Sequence, residues 1–174
     1  MNEPTPNEAE QRDSSRAHLI DMFERHWSVM LFNHAPDGRL AGRPMARERV
    51  DADGTVYFAT GMDSEKIKEL QKDPQVTLSI QSAHEYAVMS GTAEVSQDPS
   101  LIDELWKDSW SVWFPLGRQD PSIAIVVVTP EEGTYWDQTK SQGLSFLFRM
   151  VKARILGKEV EIDPGDSRHV TLAS

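Results

Sequence analysis

The chain has 174 residues, 28 of them acidic and 18 basic, and its formal net charge at pH 7 is −10 with histidine neutral. This length suits one domain with a sizeable core, and the negative field argues against binding to nucleic acid or anionic membrane. The absence of cysteine removes disulfides, thiolate metal ligands and thiol nucleophiles, which is compatible with a reducing compartment. No apolar run approaches the roughly 20 residues of a membrane span, and the polar, acidic start does not resemble a signal peptide. We therefore expect a soluble, cytoplasmic protein that binds neither nucleic acid nor membrane.

The first part of the chain predicts one helix followed by short strands. Ser14 or Ser15 can cap a helix with apolar residues at near-helical spacing. A turn at 35–38 separates the next two apolar segments, which predicts a hairpin. Three strands in succession favour an antiparallel meander. The predicted strands cover residues 28–32, 40–50 and 55–60.

The second part predicts further strands and short helices. A helix over 64–72 must stop before Asp73-Pro74, because a residue preceding proline is pushed out of the helical region. Asp98-Pro99 starts another helix that ends near Asp108, and an amphipathic helix closes at Gly157. The predicted strands cover residues 76–80, 86–95, 123–128 and 133–137. Without regular alternation of strands and helices, this order favours an α+β barrel over a doubly wound sheet.

The polarity of the two ends predicts the domain boundaries. Residues 1–13 and 158–174 are acidic and polar, and segments of this kind stay solvated. We therefore expect one folded domain over residues 14–157 between two disordered tails.

A strand-to-helix junction carries the strongest functional signal. The strand that ends at Thr60 is followed by a helix whose first turn carries the Ser64 hydroxyl and the Lys66 ammonium. Free backbone N–H groups and the positive end of the helix dipole point toward an entering anion, so a phosphate fits this site. Arg43 or Arg47 could approach the same anion, because an acidic protein needs two or more cationic contacts to hold one. The alternative is that Ser64 caps a surface helix and the cations are solvated.

Six short motifs give the chain a family resemblance through their order and spacing. The motifs are Gly42-Arg43-Pro44-Met45, Val56-Tyr57-Phe58-Ala59-Thr60, Ser64-Glu65-Lys66, Gly91-Thr92-Ala93-Glu94-Val95, Trp113-Phe114-Pro115 and Tyr135-Trp136-Asp137. Together they resemble the pyridoxamine 5′-phosphate oxidase-like FMN-binding split barrels, and most closely the general stress protein branch of that superfamily. The resemblance covers roughly residues 17–157.

The resemblance implies a fold, an assembly and a cofactor. The fold is a six-stranded antiparallel split β-barrel of the α+β class, flanked by a few short helices. The assembly is a homodimer with FMN in a groove to which both subunits contribute, although members of this branch need not be enzymes. The predicted FMN-binding residues are Arg43, Pro44, Met45, Phe58, Ala59, Thr60, Ser64, Lys66, Trp113 and Trp136.

Each predicted group matches one part of FMN. Lys66, Ser64 and Arg43 would meet the phosphate through charge-assisted hydrogen bonds. The backbone of residues 58–60 would face the hydrogen-bonding edge of the flavin ring. Residues 44–45 would shape the pocket with a stiff strand edge and a soft apolar surface.

The tryptophans divide into two groups. Trp113 and Trp136 match family motifs and would contact the ligand, the former in the partner's site. For Trp106 and Trp110, which lie in a dense aromatic segment, packing in the core or dimer interface is the favoured interpretation.

No metal centre or catalytic group emerges from the sequence. The five histidines lie on separate elements without metal-ligand spacing, and no general acid or base stands out. Pyridoxamine 5′-phosphate oxidases use a C-terminal arginine-and-histidine segment to grip their substrate, whereas here Arg168-His169 lies in an unrelated context, which disfavours vitamin-precursor oxidation.

These observations lead to one main functional hypothesis and two alternatives. The main hypothesis is a flavin-dependent, oxidoreductase-like stress protein with an unidentified substrate and a small-molecule or nicotinamide reductant. The first alternative is a non-catalytic module that stores or senses flavin. The second alternative is a barrel that binds a deazaflavin or haem.

Overall fold

The computed structural model describes residues 6–137 and 167–173. The helices are α1 (Pro6–Arg25), α2 (Glu65–Lys72) and α3 (Pro99–Leu105), and two 3₁₀ turns follow α3 at Asp108–Val112 and Gly117–Gln119. The strands are β1 (Ser28–His34), β2 (Leu40–Ala46), β3 (Arg49–Val50), β4 (Val56–Gly61), β5 (Gln75–Gln81), β6 (Glu85–Ser96), β7 (Ile123–Asp137) and β8 (Ser167–Thr171).

The strands form one curled antiparallel sheet in the order β2-β1-β5-β6-β7-β4-β3, with β8 also paired to β7. The predicted α+β split-barrel class is confirmed, and β1, β2, β4, β5, β6 and β7 supply its six main strands. The β1–β2 hairpin is also confirmed, with Ser28 opposite Ala46. The predicted meander is correct only in part: β3, the end of the segment predicted as a strand over 40–50, pairs with β4, but β2 does not, and β4 pairs along its length with β7. The segment predicted as one strand over 40–50 is interrupted between β2 and β3, so the chain leaves the β1–β2 hairpin before β4 begins.

The first half of β7 lies at the centre of the molecule. Ile123, Ala124, Ile125 and Val126 are each 0% exposed. Ala124 and Val126 belong to the main core inside the barrel, whereas Ile123 and Ile125 pack against a second core under α3 and the 3₁₀ turns. A strand buried on both faces must be apolar at every position, which explains the most apolar segment of the sequence.

Two helix boundaries follow the expected local chemistry. Ser64 is the N-cap residue of α2, which ends at Lys72 as predicted from Asp73-Pro74. Asp98 caps α3 by accepting a hydrogen bond from the Ser100 backbone N–H, and Pro99 occupies the first turn. The α3 helix ends at Leu105, three residues earlier than expected.

The ends of the chain differ from the predicted tails. Residues 6–13 belong to helix α1. The prediction of disorder is therefore wrong for residues 6–13. It is also wrong for 167–171, which form β8, with Val170 and Leu172 buried in the main core. The segments predicted at 123–128 and 133–137 form one strand, β7, and the helix predicted to close at Gly157 lies outside the described residues.

Candidate functional site

An open cleft of about 650 Å³ lies where β2, β4, the start of α2 and the first 3₁₀ turn meet. This volume falls within the usual range for small-molecule sites, about 300–1,000 Å³. Six of the predicted FMN-binding residues line the cleft: Pro44, Met45, Ala59, Thr60, Lys66 and Trp113. The junction between β4 and α2 thus lies in the wall of a cleft, as its chemistry suggested.

Lys66 supplies the positive charge of the cleft. Its ammonium donates a hydrogen bond to Thr60 Oγ1 at 2.5 Å. Burial lowers the pKa of Lys66 below its ordinary value, and the nearby positive charge of Arg43 lowers it further. A poorly solvated cation beside a second cation is stabilised by an entering anion, because the anion relieves both effects.

Arg43 lies close to this cation but does not line the cleft. Its Nη2 donates to Glu69 Oε2 at 2.7 Å. The Glu69 side chain is only 6% exposed, and Asn33 Nδ2 donates to the same oxygen at 2.9 Å. Hydrogen bonds from Asn33, and then from Arg43, lower the pKa of Glu69 and keep it ionised. Sequence reasoning missed Glu69, since a glutamate on an amphipathic helix ordinarily faces solvent.

The β2 motif is shaped by a close approach to β1. A Cβ atom at Gly42 would lie 2.5 Å from Cε1 of the Phe32 ring. A larger residue at this position would therefore require the ring to move. Arg43 and the two cleft residues Pro44 and Met45 follow directly on the strand.

Three predicted residues, like Arg43, lie outside the cleft lining. The Ser64 hydroxyl is buried without a hydrogen-bond partner in the described part of the chain, and it makes no capping bond. The Phe58 ring is fully buried in the main core. Trp136 lies near the far end of β7 opposite Tyr86, whereas Ser122, just before β7, lines the cleft. The stretch of chain from Ser122 to Trp136 is at most about 45 Å long.

The aromatic end of the cleft is built by the first 3₁₀ turn. Trp110 is 5% exposed and contacts the rings of Trp106 and Phe114 edge-on, at centroid distances of 5.6 and 6.4 Å. The interpretation of Trp110 as a packing residue is confirmed, although it also lines the cleft. Trp113 is 78% exposed. The cleft therefore has one firmly packed aromatic wall and one aromatic side chain open to solvent.

Glu48 is a cleft residue that sequence reasoning did not find. It lies between β2 and β3, and its side chain is only 9% exposed. Its Oε2 lies 2.6 Å from the Lys107 ammonium. A charged segment between two strands ordinarily lies on a solvated edge, so no local pattern marks this glutamate as buried.

Two further properties concern residues 6–137 and 167–173. Histidine, aspartate and glutamate side chains there form no group of three or more that could hold a metal ion. None of the helices in these segments is both long and apolar enough to cross a membrane.

Comparisons with known proteins place these features in a family. A family model described as pyridoxamine 5′-phosphate oxidase like matches residues 14–161. A similar solved structure, a candidate general stress protein 26 from Jannaschia sp., has 27% identity and a TM-score of 0.66, with 91% of this chain and 99% of that one covered. The general stress FMN/FAD binding protein from Xanthomonas citri has 25% identity and a TM-score of 0.60, with coverage of 76% and 92%. No curated protein sequence matches significantly.

A more distant structure agrees in fold alone. The pyridoxamine 5′-phosphate oxidase-related, FMN-binding protein from Nostoc punctiforme has 16% identity and a TM-score of 0.57, covering 77% of this chain and 85% of that one.

The curled antiparallel sheet and the cleft beside it define a split-barrel protein. The chain belongs to the pyridoxamine 5′-phosphate oxidase-like family, since the family model spans most of its length. The predicted resemblance to the general stress protein branch is confirmed by the same match and by the similar structures.

Proposed function

We propose that the cleft binds FMN, with the phosphate at Lys66 and the flavin ring toward Trp110 and Trp113. The observation that carries this proposal is the half-buried Lys66 ammonium, with its lowered pKa, in the same cleft as an exposed tryptophan. The cleft volume and the family membership support it.

The phosphate end fits a doubly charged anion. Helix α2 begins at Glu65, between the cleft residues Asp63 and Lys66, and the first turn of a helix carries free backbone N–H groups and the positive end of the dipole. Lys66 adds a full charge and Thr60 adds a hydroxyl, whereas the nearby charge of Arg43 is largely balanced by Glu69. Ser64 would contribute if its unpartnered hydroxyl turned toward the phosphate.

The aromatic end fits a ring system that a second copy of the chain encloses. The side chains of Val112, Trp113 and Leu116 are exposed by 79%, 78% and 71%, which is unusual for large apolar residues grouped on one surface. A homodimer that buries this surface would also complete the cleft. In such a dimer Trp136 would come from the partner, because within one chain it is far along β7.

The proposed activity is that of a flavin-dependent oxidoreductase-like protein with a small-molecule or nicotinamide reductant. When bound, FMN would supply the hydride-transfer chemistry, and the protein would supply binding, orientation and electrostatics. Backbone groups of Ala59 and Gly61 in the cleft wall would position the polar edge of the ring.

The test is calorimetric titration with FMN and with riboflavin, which differ by the phosphate. We expect Lys66→Gln to weaken FMN binding by about 10- to 100-fold and to leave riboflavin binding unchanged, because a charge-assisted hydrogen bond contributes about 1.5–3 kcal/mol. Lys68→Gln is the matched control, since Lys68 is exposed on the same helix. Failure of the unaltered protein to bind FMN would reject the proposal.

Turnover is measured separately. Steady oxidation of NADPH or NADH by the FMN-loaded protein would support the proposed oxidoreductase activity. A bound flavin that no nicotinamide or other small-molecule reductant reduces would instead support storage or sensing.

A further inference from the structure

Glu48 gives the cleft a negative charge well separated from Lys66. The backbone N–H of Glu48 donates to Tyr57 O at 2.9 Å, whereas Lys66 is bound to Thr60. Tyr57 and Thr60 lie on the same strand, β4, so about 10 Å of strand separates the two attachment points. The cleft is therefore polarised along its length.

The Glu48 carboxylate has unfilled hydrogen-bonding capacity. One oxygen, Oε2, contacts the Lys107 ammonium at 2.6 Å, and the lysine side chain is 52% exposed. Within the described residues, no second donor to the carboxylate is found. Because solvent weakens an ion pair with a half-exposed lysine, a cation inside the cleft can compete for Glu48.

The charge balance of a loaded cleft favours such a cation. Among the described residues, three ionisable side chains line the cleft: Glu48, Asp63 and Lys66. A phosphate with about two negative charges exceeds the single charge of Lys66, so with Asp63 the loaded cleft would be negative, in a protein of net charge −10. A positively charged second ligand would be attracted and an anionic one repelled.

The aromatic wall supplies the other half of the recognition. Trp113 lines the cleft and is 78% exposed in the single chain. A tryptophan has two faces, so contact of one face with the flavin or with a second copy of the chain would leave the other for this ligand. The face of a tryptophan attracts a cation through its ring quadrupole, and a planar ring adds stacking.

We propose that the Glu48 end of the cleft is a subsite for a planar aromatic cation, such as an N-alkylated pyridinium ring. Glu48 selects the positive charge and Trp113 provides the stacking surface. The subsite disfavours rings that carry a carboxylate or a phosphate. Because its place is defined relative to bound flavin, the subsite rests on the proposed function.

The experiment compares three rings of one size with different charge on the FMN-loaded protein. The probes are 1-methylnicotinamide, nicotinamide and nicotinate, which are cationic, neutral and anionic. Binding is followed by the change in flavin absorbance and by quenching of tryptophan emission. We expect the cation to bind about tenfold more tightly than the anion, which corresponds to about 1.4 kcal/mol.

Variants assign this preference to Glu48. Glu48→Gln should weaken binding of the cation about tenfold and leave the neutral ring unchanged. Glu104→Gln is the control, because it removes an equal charge from an exposed residue that does not line the cleft. Lys107→Met removes the competing ammonium and should strengthen binding of the cation.

The other possible outcomes of these experiments also decide whether the subsite exists. Equal affinity for the three probes, or a Glu48→Gln protein that binds them as the unaltered protein does, would overturn the subsite while the flavin proposal stands. Loss of FMN binding in folded Glu48→Gln would also overturn it, because Glu48 would then serve the flavin. If the unaltered protein binds no FMN, the proposed function fails, and the order of probe affinities in the flavin-free protein decides the charge selection by itself.

Discussion

The two ends of the cleft differ in how the protein holds them. At the Lys66 end, the buried Glu69 side chain accepts short hydrogen bonds from Arg43 and from the buried Asn33, so Arg43 is held in place. At the Trp113 end, the side chains project from a 3₁₀ turn into solvent. One chain can therefore preorganise the proposed anion end by itself, whereas the aromatic end leaves apolar surface that a second molecule can cover.

The largest expected effect separates two tryptophans of the aromatic end. Trp110→Ala should lower the free energy of unfolding by about 4 kcal/mol, because it empties the second core. Trp113→Ala should change the stability of a single chain by about 0.5 kcal/mol or less, because its side chain is exposed. Urea unfolding measures both values.

The proposed homodimer provides a second readout for the same pair. Trp113→Ala should shift the monomer–dimer equilibrium toward monomer in sedimentation over a range of concentrations. A dimer of unchanged affinity would show that Trp113 lies outside the contact between copies.

The next effect concerns the buried network behind the anion end. Glu69→Gln should lower the free energy of unfolding by about 2 kcal/mol, since Arg43 loses its counter-charge and a charge-assisted bond becomes a neutral one. Glu65→Gln, an exposed position on the same helix, should change it by about 0.5 kcal/mol or less. Equal effects of the two substitutions would contradict the role of the network.

The same network predicts a pH dependence with a definite sign. The pKa of Glu69 is lowered from its ordinary value of 4.5, chiefly by the hydrogen bond from Asn33. Around and below that pH the unfolded chain binds the proton more readily, so the stabilisation is complete above pH 4.5 and is lost as the pH falls through the folded-state pKa. The stability difference between the unaltered protein and Glu69→Gln should therefore narrow on acidification. A constant difference between neutral and acid pH would contradict this account.

The smallest effect tests Ser64. Its buried hydroxyl has no partner among the described residues, so Ser64→Ala should alter the free energy of unfolding by about 0.5 kcal/mol or less. We expect FMN affinity to fall about tenfold, as for the loss of one hydrogen bond to a charged group at the low end of about 1.5–3 kcal/mol. Unchanged affinity would restrict the phosphate contacts to Lys66, Thr60 and backbone.

Local chemistry was readable in the sequence where neighbouring residues decide the structure. Asp98-Pro99 and Asp73-Pro74 set helix boundaries through capping and through the restriction imposed by proline. The β4–α2 junction gave the position of Lys66, and the run after Ile123 indicated the central strand. These features depend on spacings of a few residues.

Long-range partners were not readable. The Arg43–Glu69 pair and the Glu48–Lys107 pair join residues far apart in the chain. The strength of each ion pair depends on the burial of its glutamate, which only the fold creates. Without knowledge of Glu69, Arg43 was expected to reach the phosphate directly. The strand β8 was also missed, because neighbouring polar residues conceal its buried Val170 and the buried Leu172 just after it.

The pairing of β8 with β7 has a consequence for self-association. On one side of β7, β4 covers residues 123–128 and β8 covers residues 132–136. A chain that ended before Ser167 would leave the second stretch with bare backbone donors and acceptors, which can template a strand from another molecule. The strand β8 therefore protects this edge of β7 from pairing with a strand of another molecule. A fusion partner that displaced β8 would expose the edge again.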